Sequence, residues 1–154
     1  MSAIVVSRSV RVKPEDFISA IWSGEEWSAT WAPTLDFIVD YDDGEHQALR
    51  LRIDWQGKPI ELSVMRFRES ATHVEFFCPR PPDGLTRQTG TWRAETDDNG
   101  DCALIATRNV GLARMAAERD EVYSEREAQF CTTLSERLHL ILRAFATELK
   151  GENR

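Results

Sequence analysis

Several features that mark other protein classes are scarce in this chain. Lys and Arg number 19 against 26 Asp and Glu, so the formal net charge is −7. Phosphate backbones and anionic membrane surfaces both attract a surplus of Lys and Arg, and the charge therefore argues against both as partners. No apolar run approaches the ~20 residues that span a bilayer. The N-terminus has no basic segment leading into an apolar stretch, so we expect no secretory signal.

Cysteine and histidine are also few, at three residues each. Cys78, Cys102 and Cys131 are far apart and form no CxxC pair, which predicts neither a disulfide framework nor a zinc site. The sequence contains no HExxH pattern and no GxSxG signature of a hydrolase. We therefore expect no metal and no cofactor. A reducing, cytoplasmic setting is the simplest one for these thiols.

The 154 residues fit one domain, and no repeat or low-complexity linker divides them, so a single domain is predicted over 1–154. A first strand is predicted over 4–12. A helix that begins at Lys13-Pro14 and ends at Ser23-Gly24 follows, and then a short helix over 25–31. Period-two alternation and turn sequences predict six further strands, over 35–41, 46–55, 59–68, 72–78, 85–96 and 102–110.

The last third has no glycine or proline between residues 115 and 150. Its apolar residues recur at helical spacing, which predicts a long helix over at least 130–149 that Gly151 ends. This stripe consists of Phe130, Leu134, Leu138, Ile141, Leu142, Phe145 and Leu149. A continuous apolar stripe must be buried, and the sheet is the only large partner. The predicted fold is α+β: a seven-stranded antiparallel sheet wrapped around a long C-terminal helix, with two short helices after strand 1 and an internal cavity.

This order of elements resembles the helix-grip fold of the START and Bet v 1-like superfamily, and within it the polyketide aromatase/cyclases. The resemblance covers nearly the whole chain. It is carried by the terminal helix, by Trp27 with Trp31 and Pro33, and by the segments SVRVKPEDF at 9–17, IELSVMR at 60–66 and GTWR at 90–93. It implies a protein that binds a reactive polyketone in its cavity and guides aldol cyclisation and dehydration without a cofactor.

The resemblance also implies roles for single residues. The family's strand arginine and two of its tryptophans match Arg66, Trp27 and Trp92. Thr34, Val64 and Cys131 depart from the pattern, because some members have a tyrosine, a serine and an asparagine near these positions.

The missing polar groups favour a second hypothesis, a non-catalytic carrier or self-protection protein that sequesters an apolar natural product. A third hypothesis is a co-regulator that docks on another protein, and it predicts a large exposed apolar patch.

Arg66 is the main catalytic candidate. It alternates with Leu62 and Val64 along its strand, and a guanidinium on that face would stabilise the oxyanion of a ligand enolate. The alternative is that its two neighbours in the strand point inward and Arg66 lies in solvent. Alternation alone leaves both open. Tyr123 is the candidate for proton transfer, and the sequence indicates no general base.

The cavity is predicted to hold a hydrophobic small molecule or polyketide intermediate. The five tryptophans of the chain either line this cavity or pack in the core. If the substrate arrives on an acidic acyl carrier protein, Arg80 and Arg87 are the candidates for contacting it. The predicted cavity residues are Trp27, Trp31, Leu62, Val64, Phe76, Cys78, Trp92, Cys131, Leu134 and Leu138.

Overall fold

A computed structural model describes the backbone of residues 2–152 and the side chains of residues 2–150. Each predicted helix and strand is present, and the strand boundaries lie within two residues of the predicted ones. The elements, in chain order, are β1 Ser2–Val10, α1 Pro14–Trp22, α2 Gly24–Thr30, β2 Thr34–Asp42, β3 His46–Trp55, β4 Lys58–Ser70, β5 His73–Arg80, β6 Leu85–Thr96, β7 Cys102–Leu112 and α3 Asp120–Glu152.

The seven strands form one antiparallel sheet in the order β1-β7-β6-β5-β4-β3-β2. Strands β2 to β7 follow each other through short connections, and β1 lies beside β7. One row of paired residues crosses the middle of the sheet and bears on function. It runs from Gln47 through Arg66, Phe76 and Gly90 to Arg108.

The tight turn between β3 and β4 shows how local sequence sets the register. Gln56 and Gly57 have φ values of 53° and 81°, the left-handed conformation that two-residue hairpin turns of type I′ require at both central positions. Glycine adopts this conformation without strain. The turn therefore fixes the pairing of β3 with β4, which places Gln47 opposite Arg66.

The core lies between the concave face of the sheet and the helices. The apolar stripe of α3 faces the sheet, as predicted, and Leu138, Leu142 and Phe145 are fully buried. Helix α1 covers the neighbouring part of the sheet with Phe17 and Ile18, which are also fully buried. The α+β prediction of a sheet around a C-terminal helix is therefore confirmed.

Two details of the helices differ from the sequence prediction. Helix α3 begins at Asp120, ten residues before the predicted minimum, and continues through Gly151 to Glu152. The prediction that Gly151 ends the helix is wrong, because glycine lowers helix stability by only about 1 kcal/mol and does not by itself stop a helix. Over residues 2–152, no helix is both long enough and apolar enough to cross a membrane.

Candidate functional site

Two buried arginines lie on the concave face of the sheet, in the same row of paired residues. Arg66 on β4 is 3% exposed and Arg108 on β7 is 5% exposed. Phe76 and Gly90 separate them along the row. The alternation of Arg66 with Val64 on the inner face is confirmed, and its neighbour Phe67 instead stacks with Phe77 of β5.

Most N–H groups of Arg66 donate hydrogen bonds to oxygen atoms of the protein. Its Nη1 and Nη2 donate to the carbonyl oxygens of Ile21 and Trp22 at 2.8 and 2.9 Å. Its Nε donates to Oε1 of Gln47 at 2.8 Å, and Nη2 makes a second bond to the same oxygen. The two carbonyls end helix α1, which has no basic residue in its last turn. Arg66 therefore caps α1, and one N–H of its five remains, on Nη1.

A carboxylate partly compensates the charge of Arg66. Gln47 Nε2 and Trp22 Nε1 both donate to Oδ2 of Asp42, at 3.1 and 3.0 Å. Burial lowers the pKa of Arg66 to about 9, and the nearby negative charge of Asp42 acts in the opposite direction. Arg66, Gln47, Trp22 and Asp42 thus form one connected network that ties β4 and β3 to the end of α1.

Arg108 has a different environment. Its Nη1 donates to the carbonyl oxygen of Thr107 at 2.6 Å, but its Nε and Nη2 form no hydrogen bond to any described residue. Its Cζ lies 4.5 Å from the ring centroid of Phe76 and 4.4 Å from that of Trp92. Burial lowers the pKa of Arg108 to about 9, and the positive charge of Arg137 acts in the same direction. Among residues 2–150, no carboxylate forms an ion pair with Arg108.

The absence of a side chain at Gly90 makes room for Arg108. A Cβ built on Gly90 would lie 2.9 Å from Nη1 of Arg108 and 2.9 Å from Cε1 of Phe76, closer than real Cβ contacts allow. It would also collide with the carbonyl oxygen of Thr107. Glycine at this position therefore lets the guanidinium cross β6 and contact the aromatic rings.

A second group of polar side chains lies where α2, β2, β3 and α3 meet. Trp31 and Trp55 stack with ring centroids 6.0 Å apart, and Cζ of Arg137 lies 5.3 Å from the ring of Trp55. Thr34 begins β2 beside them and donates its backbone N–H to Trp31. Nε1 of both tryptophans, Oγ1 of Thr34 and Nε of Arg137 are buried without a hydrogen-bond partner among the described residues. We call Trp31, Thr34, Trp55 and Arg137 the donor cluster.

The ten predicted cavity residues come together on the inner surface. Eight are buried in the core between sheet and helices, while Leu62 and Cys131 pack partly buried against it. The region around Trp27 is filled, because its ring lies 5.8 Å from Trp92 and 5.5 Å from Phe145. An open groove of about 740 Å³ borders β2, β3, β4 and the segment 80–83, and Leu62 is the one predicted cavity residue in its lining.

Tyr123 lies away from Arg66. Its hydroxyl donates to the carbonyl oxygen of Leu112 at 3.0 Å and to Oε2 of Glu127 at 3.2 Å. Leu112 lies four residues beyond Arg108 on β7, and β7 is three strands from β4. Burial and the charge of Glu127 raise the pKa of Tyr123. The structure therefore does not bring the two predicted catalytic residues together.

Sequence reasoning missed Gln47, Arg108 and Arg137. The same alternation that indicated Arg66 was available for the first two, because Gln47 alternates with Leu49, and Arg108 alternates with Ala106. Arg137 carries a weaker signal, since it adjoins the apolar stripe of α3 at Leu138.

Of the two cysteines predicted to line the cavity, Cys78 lies near Arg108. Burial raises the pKa of the Cys78 thiol to about 11. In the described part of the chain, no three His, Cys, Asp or Glu side chains are grouped so as to hold a metal ion.

A seven-stranded antiparallel sheet around one long helix, with two short helices after the first strand, is the helix-grip fold of START and Bet v 1-like proteins. Solved structures with this fold include the Zhui aromatase/cyclase from Streptomyces sp. R1128, with a TM-score of 0.82, 14% identity, and coverage of 99% of this chain and 96% of that one.

A START superfamily protein from Mycobacterium smegmatis is also similar (TM-score 0.74, 14% identity, 97% of each chain). So is the di-domain aromatase/cyclase StfQ from the steffimycin biosynthetic pathway (TM-score 0.83, 12% identity, 98% of this chain and 52% of that one). No family model and no curated protein sequence matches the chain. At these identities the similarity shows the fold, and the function must be argued from the site.

Proposed function

We propose that the protein binds an apolar, ketone-bearing molecule of the polyketide type between the inner face of the sheet and α3, and promotes its aldol cyclisation and dehydration. The observation that carries the proposal is Arg108, a buried guanidinium whose Nε and Nη2 have no acceptor among residues 2–150 and which contacts Phe76 and Trp92. Burying a charge without a partner is costly. A ligand oxygen on Nε or Nη2 would supply the missing acceptor.

The surroundings of Arg108 suit ring closure. In the aldol step, a solvent base removes a proton from the carbon between two ketones, the resulting enolate carbon attacks a ketone carbon, and the ketone oxygen takes up a proton. Dehydration then removes the new hydroxyl group and a proton of the neighbouring carbon as water, which leaves a carbon–carbon double bond. A preorganised guanidinium stabilises the negative charge on the enolate oxygen, while the rings of Phe76 and Trp92 provide flat apolar surface for a folded chain. Holding the reacting carbons together lowers the barrier further.

The hydrogen bonds of Arg66 and Tyr123 to the protein restrict what these two residues can do for a ligand. Arg66 could offer a ligand only its remaining N–H on Nη1, since its other donors hold α1 and Gln47. Tyr123 would act on a part of the ligand that lies near the end of β7. Arg108 is therefore the first donor to test, and Arg66 the second.

A carrier or self-protection protein is the second candidate function. It is favoured by the hydrogen bonds of Arg66 and Tyr123 to protein acceptors, which occupy the two predicted catalytic groups, and by the raised pKa of Cys78 near Arg108, which keeps that thiol protonated at neutral pH. A carrier needs the buried donor and the apolar surface but no general base. It would return its ligand unaltered.

The two functions are separated by incubating the protein with a linear poly-β-ketone thioester and following products by mass spectrometry. An enzyme forms the dehydrated ring product faster than buffer does, and Arg108→Met lowers that rate about 100-fold. A carrier protects the linear ketone, which is recovered unchanged. Arg143→Met removes an exposed charge from α3 and serves as the control. If the ketone neither binds nor reacts, the proposal is wrong.

Stability measurements show whether Arg108→Met acts locally. Methionine keeps the apolar contacts of the arginine stem and removes a buried unpaired charge, so we expect thermal stability equal to or above that of the wild type. A variant that loses ligand binding while staying folded assigns the loss to the guanidinium. A variant that unfolds would instead make Arg108 a structural residue.

Docking of an acyl carrier protein belongs to the same proposal. Arg80 and Arg87 are both exposed, at the end of β5 and the beginning of β6. Affinity for an acidic carrier should fall with added salt and with Arg80→Glu. Affinity that is insensitive to both would exclude this surface.

A further inference from the structure

The donor cluster has one chemical character. An indole N–H only donates hydrogen bonds, and so does a guanidinium, while the hydroxyl of Thr34 can donate as well. Four of its donor atoms are buried and lack a partner among the described residues: Nε1 of Trp31, Nε1 of Trp55, Oγ1 of Thr34 and Nε of Arg137. Buried donors without acceptors cost free energy in the folded protein. Four such donors on neighbouring residues indicate that a group of acceptors belongs there.

The charge at this place is also uncompensated. Arg137 forms no ion pair with a carboxylate among residues 2–150, and its charge reaches Arg108. The ring of Trp55 offsets part of the charge by a cation–π contact. A neutral ketone oxygen would satisfy one or two donors but would leave the positive charge unpaired. A single negative charge would satisfy both requirements.

We propose that the donor cluster binds the carboxylate of an apolar acid whose body extends along the inner face of the sheet towards Arg108. A carboxylate accepts about four hydrogen bonds on its two oxygens, which matches the four buried donors. It carries one charge, which matches Arg137. This inference rests on the proposed function and specifies its ligand. The apolar, ketone-bearing molecule also carries a carboxylate group.

Binding requires a movement of the two tryptophans. The four donor atoms are covered by protein atoms, and Trp31 is 6% exposed. A carboxylate therefore reaches them when the stacked rings of Trp31 and Trp55 part. Indole fluorescence reports such a change directly, so binding of an acid should alter the tryptophan emission.

The test compares acids with their methyl esters. Benzoate, 2-naphthoate and 2-anthroate and the three esters present the same apolar bodies with and without the charge. Dissociation constants at pH 7.5, measured by calorimetry and by tryptophan fluorescence, should favour at least one acid over its ester by about tenfold or more in the wild type. Arg137→Gln should abolish this preference and leave ester affinity within about twofold. Arg143→Gln, the same change at an exposed position of α3, should keep it.

Trp55→Phe provides a second variant that keeps an aromatic ring and removes one N–H. It should reduce the preference for the acid, a result that a purely structural role of the ring would not produce. Esters that bind as tightly as acids to the wild type would overturn the carboxylate site and leave the proposed function standing. An acid preference unchanged in Arg137→Gln would also overturn it. If none of the six compounds binds, the carboxylate site is wrong, while the proposed function is decided separately by the experiment with the poly-β-ketone thioester.

Discussion

Arg66 and Arg108 occupy one row of the sheet but meet different acceptors. The carbonyls at the end of α1 lie over Arg66, so its guanidinium donates hydrogen bonds that cap this helix. Over Arg108 lie aromatic rings, and two of its nitrogens find no acceptor in the described structure. The role of a buried arginine is thus decided by which oxygens reach its N–H groups, and this makes Arg66 mainly structural and Arg108 available to a ligand.

Arg66→Ala should therefore destabilise the fold. The change leaves the carbonyls of Ile21 and Trp22 and the side chain of Gln47 without their donor, and we expect a loss of about 2–4 kcal/mol in the free energy of unfolding. Urea denaturation measures it. Arg50→Ala removes an exposed ion pair with Asp40 on the neighbouring strands and should cost no more than about 1 kcal/mol. Equal losses in the two variants would contradict the capping role.

Helix α3 both closes the core and supplies Arg137. Its two faces differ in burial, since Leu142 in the apolar stripe is fully buried while Leu140, outside the stripe, is 42% exposed. Arg137 lies on the flank of this stripe next to Leu138, where it contacts Trp55. The helix thus positions a charged residue at the border of an apolar surface.

Leu142→Asp tests this burial pattern. The variant places a carboxylate without a partner in the core, and we expect a loss of more than about 4 kcal/mol in the free energy of unfolding. Leu140→Asp makes the same change on the exposed side and should alter stability by less than about 1 kcal/mol. Thermal unfolding followed by circular dichroism distinguishes them. Wild-type stability in Leu142→Asp would show that the stripe is not buried.

The connection from β7 to α3 contains an ion pair with a defined pH dependence. Arg126 donates from Nε and Nη2 to Glu118 at 2.6 and 2.8 Å and from Nη2 to the carbonyl of Ala113 at 2.9 Å. The hydrogen bond from Arg126 lowers the pKa of Glu118 from 4.5 to about 2. The unfolded chain therefore binds more protons at this residue between pH 4.5 and 2, and the stabilisation is lost as the pH falls through that range.

Glu118→Gln should consequently lower the melting temperature at pH 7. The difference in melting temperature between the variant and the wild type should shrink between pH 4.5 and 2. In this range Glu118 of the wild type becomes protonated, and the wild type loses the ion pair that the variant lacks at every pH. Calorimetric scans across this range measure the difference. Glu121→Gln, in the first turn of α3, is the control. A constant difference down to pH 2 would show that the charge of Glu118 is not responsible.

The whole molecule combines an acidic composition with a basic interior. The chain has a formal net charge of −7, yet the inner face carries Arg66 and Arg108, with Arg137 at its border. Among these three arginines, Arg66 is the one whose pKa is affected by a carboxylate of the described residues, that of Asp42. Screening beyond about 8 Å at physiological salt limits the repulsion of an anionic ligand by the surface, while the buried charges act on it at short range.

A single core predicts a single unfolding transition. Tryptophan fluorescence reports on the sheet with α1 and α2, which contain four of the five tryptophans, and on Trp31 directly after α2, while far-ultraviolet circular dichroism reports mainly on α3. The two signals should change together in urea, since α3 and the sheet share one core. Separate midpoints would show that α3 unfolds independently, against the prediction of one domain.

Much of this architecture follows from local sequence patterns. Alternation along β4 and β5, the turn residues at 56–57 and the spacing of apolar residues in α3 predict the elements and their faces, because these patterns depend on backbone geometry alone. The alternation along β4 left two positions open for Arg66, and the burial of its side chain in the structure decided for the inward one. The ten residues predicted to line the cavity share apolar character, and they lie in the core or pack against it.

Partners that lie far apart in the chain were decided only by the tertiary structure. The carbonyls of residues 21 and 22 meet Arg66 because α1 ends above β4, and the pattern within either element contains no information about that meeting. Arg137 joins Trp31 and Trp55 because the side chain of Arg137 on α3 reaches the ring of Trp55 at the end of β3. The sequence by itself thus determined the helices and strands and which side chains share a face of each. Packing decided which donors find an acceptor, because that depends on distances between elements and not on the order of residues within them.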